Sequence, residues 1–222
     1  MPGYAGMDRC DYPGSKPMAW LKENTNLVWS GFYLGTSPSH SGTSWMKARA
    51  ELVEQGWGLA PIYVGQQVTG PGSRTVTAEQ GARDGGNACE LMTSAGFPHA
   101  SFVYLDLENG PPFTPAQRGY VGAWVDAVKA HGFSPGVYCS FLFAHQVHEL
   151  RTDARIWAFH VSTTKPHHVP GPRYPDPDPA ACGYPGAFIW QLGDECRISL
   201  AGDPGDIIEV DLDTAASPDP SK

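Results

Sequence analysis

"SFVYLDLENG", Ser101–Gly110, ends an apolar run with two carboxylates one residue apart, directly before a Gly-Pro-Pro turn. Successive side chains of a strand point to opposite faces, so Phe102, Tyr104, Asp106 and Glu108 share one face and Val103, Leu105 and Leu107 the other. One face is wholly aliphatic. The second carries two rings and then two acids, the pattern of a core strand that opens into a polar site at its carboxyl end. "TPAQRGYVGAWVDAVKAHG", Thr114–Gly132, comes next and is helical in pattern: Thr114 is a cap and Pro115 stands in the first turn. Val121, Trp124, Val125 and Val128 recur at helical spacing, and Gly132 ends the run. Together the two stretches make one strand-helix unit.

That unit recurs in both directions along the chain. Further strand-like runs lie at Tyr4–Asp8, Leu27–Gly35, Gly58–Gln66, Gly136–Ser140, Arg155–Val161, Ala187–Leu192 and Ile207–Asp213. Helical patterns cover Lys16–Glu23, Ser44–Gln55, Thr77–Ala95 and Phe141–Leu150 as well as Thr114–His131. Each of the first five strands is followed by a helix. The last three are not, because Thr164–Pro185 is too rich in proline and Asp194–Asp206 holds only a short turn region. Eight strands in 222 residues, roughly 28 residues apiece, suit a TIM-like α/β barrel of five β/α units followed by three strands without regular helices. No GxGxxG or GxxxxGK[ST] follows any strand, which removes the usual reason to prefer a doubly wound nucleotide-binding sheet. The expected organisation is a single domain over residues 1–214, with "AASPDPSK" at 215–222 as a flexible tail.

Composition narrows the function classes. A net charge of -8, from 15 Lys and Arg against 23 Asp and Glu, leaves no basic patch and argues against nucleic acid and anionic membrane surfaces as partners. No run of 18 apolar residues occurs, and "MPGYAGMDRC" lacks the charged and apolar regions of a signal peptide. A role at a cell wall would therefore call for delivery by lysis, a phage or a secretion machine. None of the five cysteines has metal-ligand spacing, so neither a metal nor another cofactor is expected. Cys182 and Cys196 flank one predicted strand and could pair in an oxidising compartment, whereas Cys139 reads as a buried small hydrophobe. His145, His148, His167 and His168 read as surface or capping residues, and the chain as a monomer.

The acids carry the functional signal. Barrel active sites lie at the carboxyl ends of strands, where Asp8, Asp106, Glu108 and Asp211 all fall, on the first, fourth and eighth strands. The first and eighth strands become neighbours when a barrel closes. In "IIEVDLD", Ile207–Asp213, the residues Ile208, Val210 and Leu212 take the aliphatic face and leave Glu209, Asp211 and Asp213 to the lumen. So many acids are costly in a lumen unless it is wet and functional. Loop capping, or pairing with Arg155 and Arg197, would account for one such acid more readily than for four at one mouth.

These acids sit within motifs that resemble a known family. "GMDRCDYPG", the DLE of Asp106–Glu108, "PGVYCS", "IWAFHV", "IWQLG" and "EVDLD" follow the order seen in family 25 glycoside hydrolases, the peptidoglycan muramidases of bacteria and phages. A closer likeness, through "GFYLG", "APIYVGQQ" and the GFP before the fourth strand, is to a bacterial glycoside-hydrolase-like domain family. The resemblance spans nearly the whole chain and implies a barrel of the kind read above. It implies Glu108 as general acid, Asp106 as the carboxylate beside it, and Asp8 and Asp211 as the remaining acids of the site. It also implies sugar contacts from Tyr63, Tyr138 and Trp190, with Gln66, His160 and Gln191 as polar partners. The second strand departs from the muramidase pattern, since "GFYLGTSPSH" lacks the acid often found in that motif. The expected function is a glycosidase acting on an amino-sugar polymer, with peptidoglycan first among candidates. The alternative is a non-catalytic glycan-binding or structural barrel that retains the site.

Overall fold

The structure, a computed structural model, describes residues 2–161, 167–168, 172–200 and 207–222. Its elements run β1 (Tyr4–Asp8), α1 (Ser15–Asn24), β2 (Trp29–Tyr33), α2 (Arg49–Glu54), β3 (Gly58–Val64), α3 (Ala78–Ser94), β4 (Phe102–Asp106) and α4 (Pro115–Ala130). They continue with β5 (Ser134–Ser140), α5 (Ala144–Leu150), β6 (Arg155–Phe159), the two-residue β7 (His167–His168), a 3-10 turn at Pro179–Cys182, β8 (Ala187–Ser199) and β9 (Ile207–Ala215). Strands β1 to β6 lie side by side in sequence order. β9 and β8 continue from β1, and a β6–β8 pairing closes an eight-stranded barrel. The five strand-helix units are those read from the sequence, and among the described residues no α-helix follows α5; β7 pairs with β8 as an addition to the barrel.

One strand runs differently from expectation. β9 pairs antiparallel with both β1 and β8, whereas the pairings from β1 through β6 to β8 are parallel. Asp211 is therefore not at a carboxyl end. It sits mid-strand opposite Asp8, and the amino-terminal part of β9 forms the mouth. β8 and β9 are consecutive and pair from Ser199 opposite Ile207, which sets β9 antiparallel to β8 and hence to β1.

Strand alternation sorts the core into two layers. Val103, Leu105, Val137, Val210 and Leu212 face outward into the cluster shared with the helices. Trp29, Ala60, Ile62, Val64, Tyr104, Trp157 and Ile189 fill the barrel. Trp157 is the hub of the inner layer, meeting Trp29 at 5.7 Å, Tyr104 at 5.6 Å and Tyr138 at 5.5 Å between ring centroids, all edge-on. Such large rings fit only because facing positions are empty: a Cβ on Gly6 would lie 2.1 Å from the Trp29 ring, and one on Gly136 2.3 Å from Tyr104. Outside, Thr114 and Gln117 form a reciprocal capping box that starts α4, worth about 1 kcal/mol.

The segment expected to be a flexible tail is instead docked across the amino-terminal end of the barrel. Ser221 C=O accepts from the Phe102 amide at 2.8 Å, Pro220 C=O accepts from Tyr104 Oη at 3.0 Å, and Asp219 Oδ1 accepts from the Leu59 amide at 3.2 Å. Arg155 Nη1 donates to Lys222 C=O at 2.6 Å. Proline and serine made this stretch look disordered, but its backbone carbonyls cap strand ends that would otherwise be unpaired. No disulfide joins Cys182 to Cys196; both are buried.

Candidate active site

The four acids reach one pocket from three strands. β1 ends on Asp8 and β4 on Asp106, Glu108 follows two residues later, and β9 sets Asp211 opposite Asp8. With Tyr33, Ile62, Tyr138, Trp157 and Gln191 they line a cavity of about 60 Å³ at the barrel mouth. That volume admits a few water molecules or one small substituent, not a sugar ring. Rings would lie in two grooves that open from it. One, of about 550 Å³, is walled by Phe141, Leu142, Phe159 and His160; the other, of about 290 Å³, by Arg9, Asp194, Glu195 and Glu209.

Neutral donors hold the carboxylates in place. Tyr33 Oη donates to Asp8 Oδ1 at 2.6 Å. Gln191 Nε2 donates to Asp211 Oδ2 at 2.8 Å and reaches Asp8 Oδ2 at 3.5 Å, while Tyr138 Oη donates to Gln191 Oε1 at 2.6 Å and so fixes which way the amide faces. The Glu195 amide donates to Asp211 Oδ1 at 2.9 Å, a bond made possible by the irregularity of β8 between Gly193 and Cys196 and by the left-handed Glu195 backbone, φ 51°. On the other side Gln67 braces the DLE turn: its Nε2 donates to Asp106 C=O at 3.0 Å and its Oε1 accepts from the Glu108 amide at 3.3 Å.

The electrostatics follow from crowding in a dry place. Asp8 and Asp106 are only 3% and 5% exposed, and burial raises both above the usual carboxylate range; Glu108 and Asp8 push Asp106 further up. Glu108, exposed at the pocket edge, is raised by partial desolvation and then by Asp8. Desolvation and Asp8 together push Asp211 up to about 9. A fifth acid, Asp213, is 1% exposed beneath them and raised well above its ordinary value by burial, Asp8 and Asp211, although Trp157 Nε1 donates to its Oδ1 at 3.1 Å. Five such groups cannot all ionise together at neutral pH, so the cluster retains protons. Among the described residues nothing donates to Asp106 Oδ1, and no three acidic, histidine or cysteine side chains are grouped to hold a metal ion.

The other expected contacts divide. Tyr138 and Gln191 line the pocket, and His160 lines the larger groove, its ring stacked on Phe141 at 3.8 Å. Tyr63, Gln66 and Trp190 do not reach it. Tyr63 points outward between Ile62 and Val64, fully buried against Trp124 with its hydroxyl donating to Asn87. Gln66 donates to Asp84 of α3, which also accepts from Tyr120, so it ties a loop to a helix. Trp190 faces outward between Ile189 and Gln191, and its Nε1 donates to His160 C=O at 3.0 Å. Sequence reasoning missed Tyr33, Gln67 and Trp157 as parts of the site. Alternation from Trp29 through Gly31 puts Tyr33 on the lumen face, a signal that was there to use.

Solved structures of similar fold include the Tat-secreted protein Rv2525c of Mycobacterium tuberculosis, crystallised with L-tartrate, at 14% identity and a TM-score of 0.65 over 98% of this chain and 97% of that one. The catalytic domain of endolysin ply40 from bacteriophage P40 of Listeria monocytogenes matches at 13% identity and a TM-score of 0.62, over 97% and 94% of the two chains. The modular Cpl-1 endolysin, crystallised with a peptidoglycan analogue, matches at 12% identity and a TM-score of 0.53, over 96% of this chain and 54% of its own. At such identities these likenesses speak for the barrel alone. No curated protein sequence matches with significance. The family model of the Rv2525c-like, glycoside hydrolase-like domain matches residues 20–174, well over half of the sequence, and the chain belongs to that family.

Proposed function

We propose that the protein is a glycoside hydrolase that cleaves an amino-sugar polymer, with peptidoglycan the leading candidate. The observation that carries the reading is the meeting of Asp8, Asp106, Glu108 and Asp211 in one small pocket between two grooves. Glycosidic cleavage needs a protonated acid at the leaving oxygen and a negative charge near an oxocarbenium-like centre. Glu108 suits the first part: it stands at the open edge, and its raised pKa keeps a proton available. The cluster beneath supplies the second, since protons shared among Asp8, Asp106 and Asp211 leave net negative charge beside the reacting carbon. Gln191 and Tyr33 hold that charge still without neutralising it. The fold shared with endolysins, one of them crystallised with a peptidoglycan analogue, agrees with a wall glycan as substrate.

Incubation with purified cell walls from several bacteria, followed by mass spectrometry of soluble products, tests this. Muropeptides with new reducing ends are expected. Retention on the walls with no new reducing end, from any wall or from chitin-type polymers, would overturn hydrolysis and leave a glycan-binding barrel.

A further inference from the structure

We infer that the glycan held in this cleft carries free amino groups, so that the substrate class is an amino-sugar polymer with unacetylated, cationic sugars; the inference rests on the glycosidase reading above. Charge along the cleft is the first ground. The four acids of the pocket are joined along the grooves by Asp194, Glu195 and Glu209, while Arg9 is the one Lys or Arg lining pocket or grooves among the described residues. Of the three rim acids, Glu209 has a basic neighbour in Arg197 at 3.5 Å. An ammonium-bearing sugar would be drawn along this path, whether it belongs to a wall glycan lacking N-acetyl groups or to another amino-sugar polymer.

The second ground is independent of net charge. Asp106 is 5% exposed, lines the pocket, and its Oδ1 accepts no hydrogen bond among the described residues. A buried carboxyl oxygen left so lacks a partner, and the neutral donors lining the pocket, from Tyr33, Tyr138, Gln191 and Trp157, already serve Asp8, Gln191, Asp211 and Asp213. An ammonium brings three donors and no acceptor. An acetamido group brings one N–H and no charge, and so does less to offset the net negative charge of the cluster. Metal ions are a poorer fit, because no three ligating side chains are grouped for one among the described residues. The crowded acids also hold protons that a bound cation would displace, so binding and proton release are linked.

The test is calorimetric titration of the Glu108→Gln protein with a glucosamine hexamer and an N-acetylglucosamine hexamer, at about pH 6 where a sugar ammonium keeps its proton. The amine form should bind about 10-fold or more tightly at low salt, with the margin shrinking near 0.5 M salt. Its heat should vary with the buffer's ionisation enthalpy, because protons are released. Asp194→Asn with Glu195→Gln should narrow the ratio. Wild-type kcat/KM on the two polymers should show the same preference without recourse to any variant. Equal or tighter binding of the acetylated hexamer would overturn the inference, even if both polymers are cleaved. Tight, salt-sensitive binding of the amine form, with no cleavage of either hexamer or of any cell wall, would support it while overturning the glycosidase reading.

Discussion

The two ends of this barrel are built on opposite principles. At the amino-terminal end, Arg155 lies over Phe102 at 3.4 Å and Phe188 at 4.0 Å, and its guanidinium donates to the docked segment 216–222, whose carbonyls cap β4. Its contacts there are matched. At the mouth, five carboxyl groups crowd together, an oxygen of Asp106 lacks a donor, and Glu195 takes a left-handed backbone to serve Asp211. One end is tied down by the docked segment and the other gathers carboxyl groups that cannot all ionise together, the division expected where loops and strand ends at one face of a barrel carry chemistry.

The largest effects should come from the mouth and appear in turnover. Glu108→Gln keeps shape and hydrogen bonding but removes the transferable proton, so cleavage should fall by about 100-fold or more with glycan binding retained. Asp106→Asn should cost a comparable factor by removing charge next to the reacting centre. The parent's pH-rate profile should be bell-shaped and should lose its basic limb in Glu108→Gln, because that limb reports deprotonation of the acid. Wild-type turnover in Glu108→Gln would remove the mouth's claim to the chemistry.

The opposite end should respond in stability alone. Arg155→Ala deletes two cation-ring contacts and the bonds to the terminal carbonyls, for a loss of about 2 kcal/mol. In a chain of 222 residues that is a fall in Tm of about 4–8 °C. Turnover at 25 °C should stay within about 2-fold. A large loss of kcat with little change in Tm would show that the two ends are coupled.

Why one end was legible in the sequence and the other was not has a physical explanation. Strand period is local, so the DLE face, the outward Val103 and Leu105 and the lumen side of Asp213 could all be read from alternation. The same rule places Tyr63 and Trp190 outside the lumen, yet the family likeness had suggested them as sugar contacts; alternation was the better guide. Strand direction is not local: the β9 run reads the same in either direction, although barrel closure alone makes Asp8 and Asp211 neighbours. Gln66 and Gln67 lie beyond the end of β3, where no periodicity applies, and only the tertiary fold sends one to Asp84 and the other to the DLE turn. The docked segment was hidden for a similar reason. Its partners Leu59, Phe102 and Arg155 are distant in sequence, while its composition is that of a tail.

A smaller effect separates the ends by pH. Asp213 is raised well above its ordinary pKa in the folded protein by burial, then by Asp8 and Asp211. The folded state therefore keeps a proton that the unfolded chain gives up above about pH 4. Stability from such a group is fully present below that pH and is lost as pH rises toward the folded value, a window that for the neighbouring Asp211 extends to about 9. Asp213→Asn cannot ionise, and its amide oxygen can still accept from Trp157 Nε1. The variant and the parent should thus melt within about 1 °C of each other near pH 4.5, and the variant should melt about 3 °C or more higher near pH 8. Arg155 contacts Phe102, Phe188 and the terminal carbonyls and none of these acids, so Arg155→Ala should lower Tm by the same amount at both pH values. A parallel shift for Asp213→Asn would mean that its carboxyl is not held protonated by its neighbours, and that the mouth is less strained than its geometry implies.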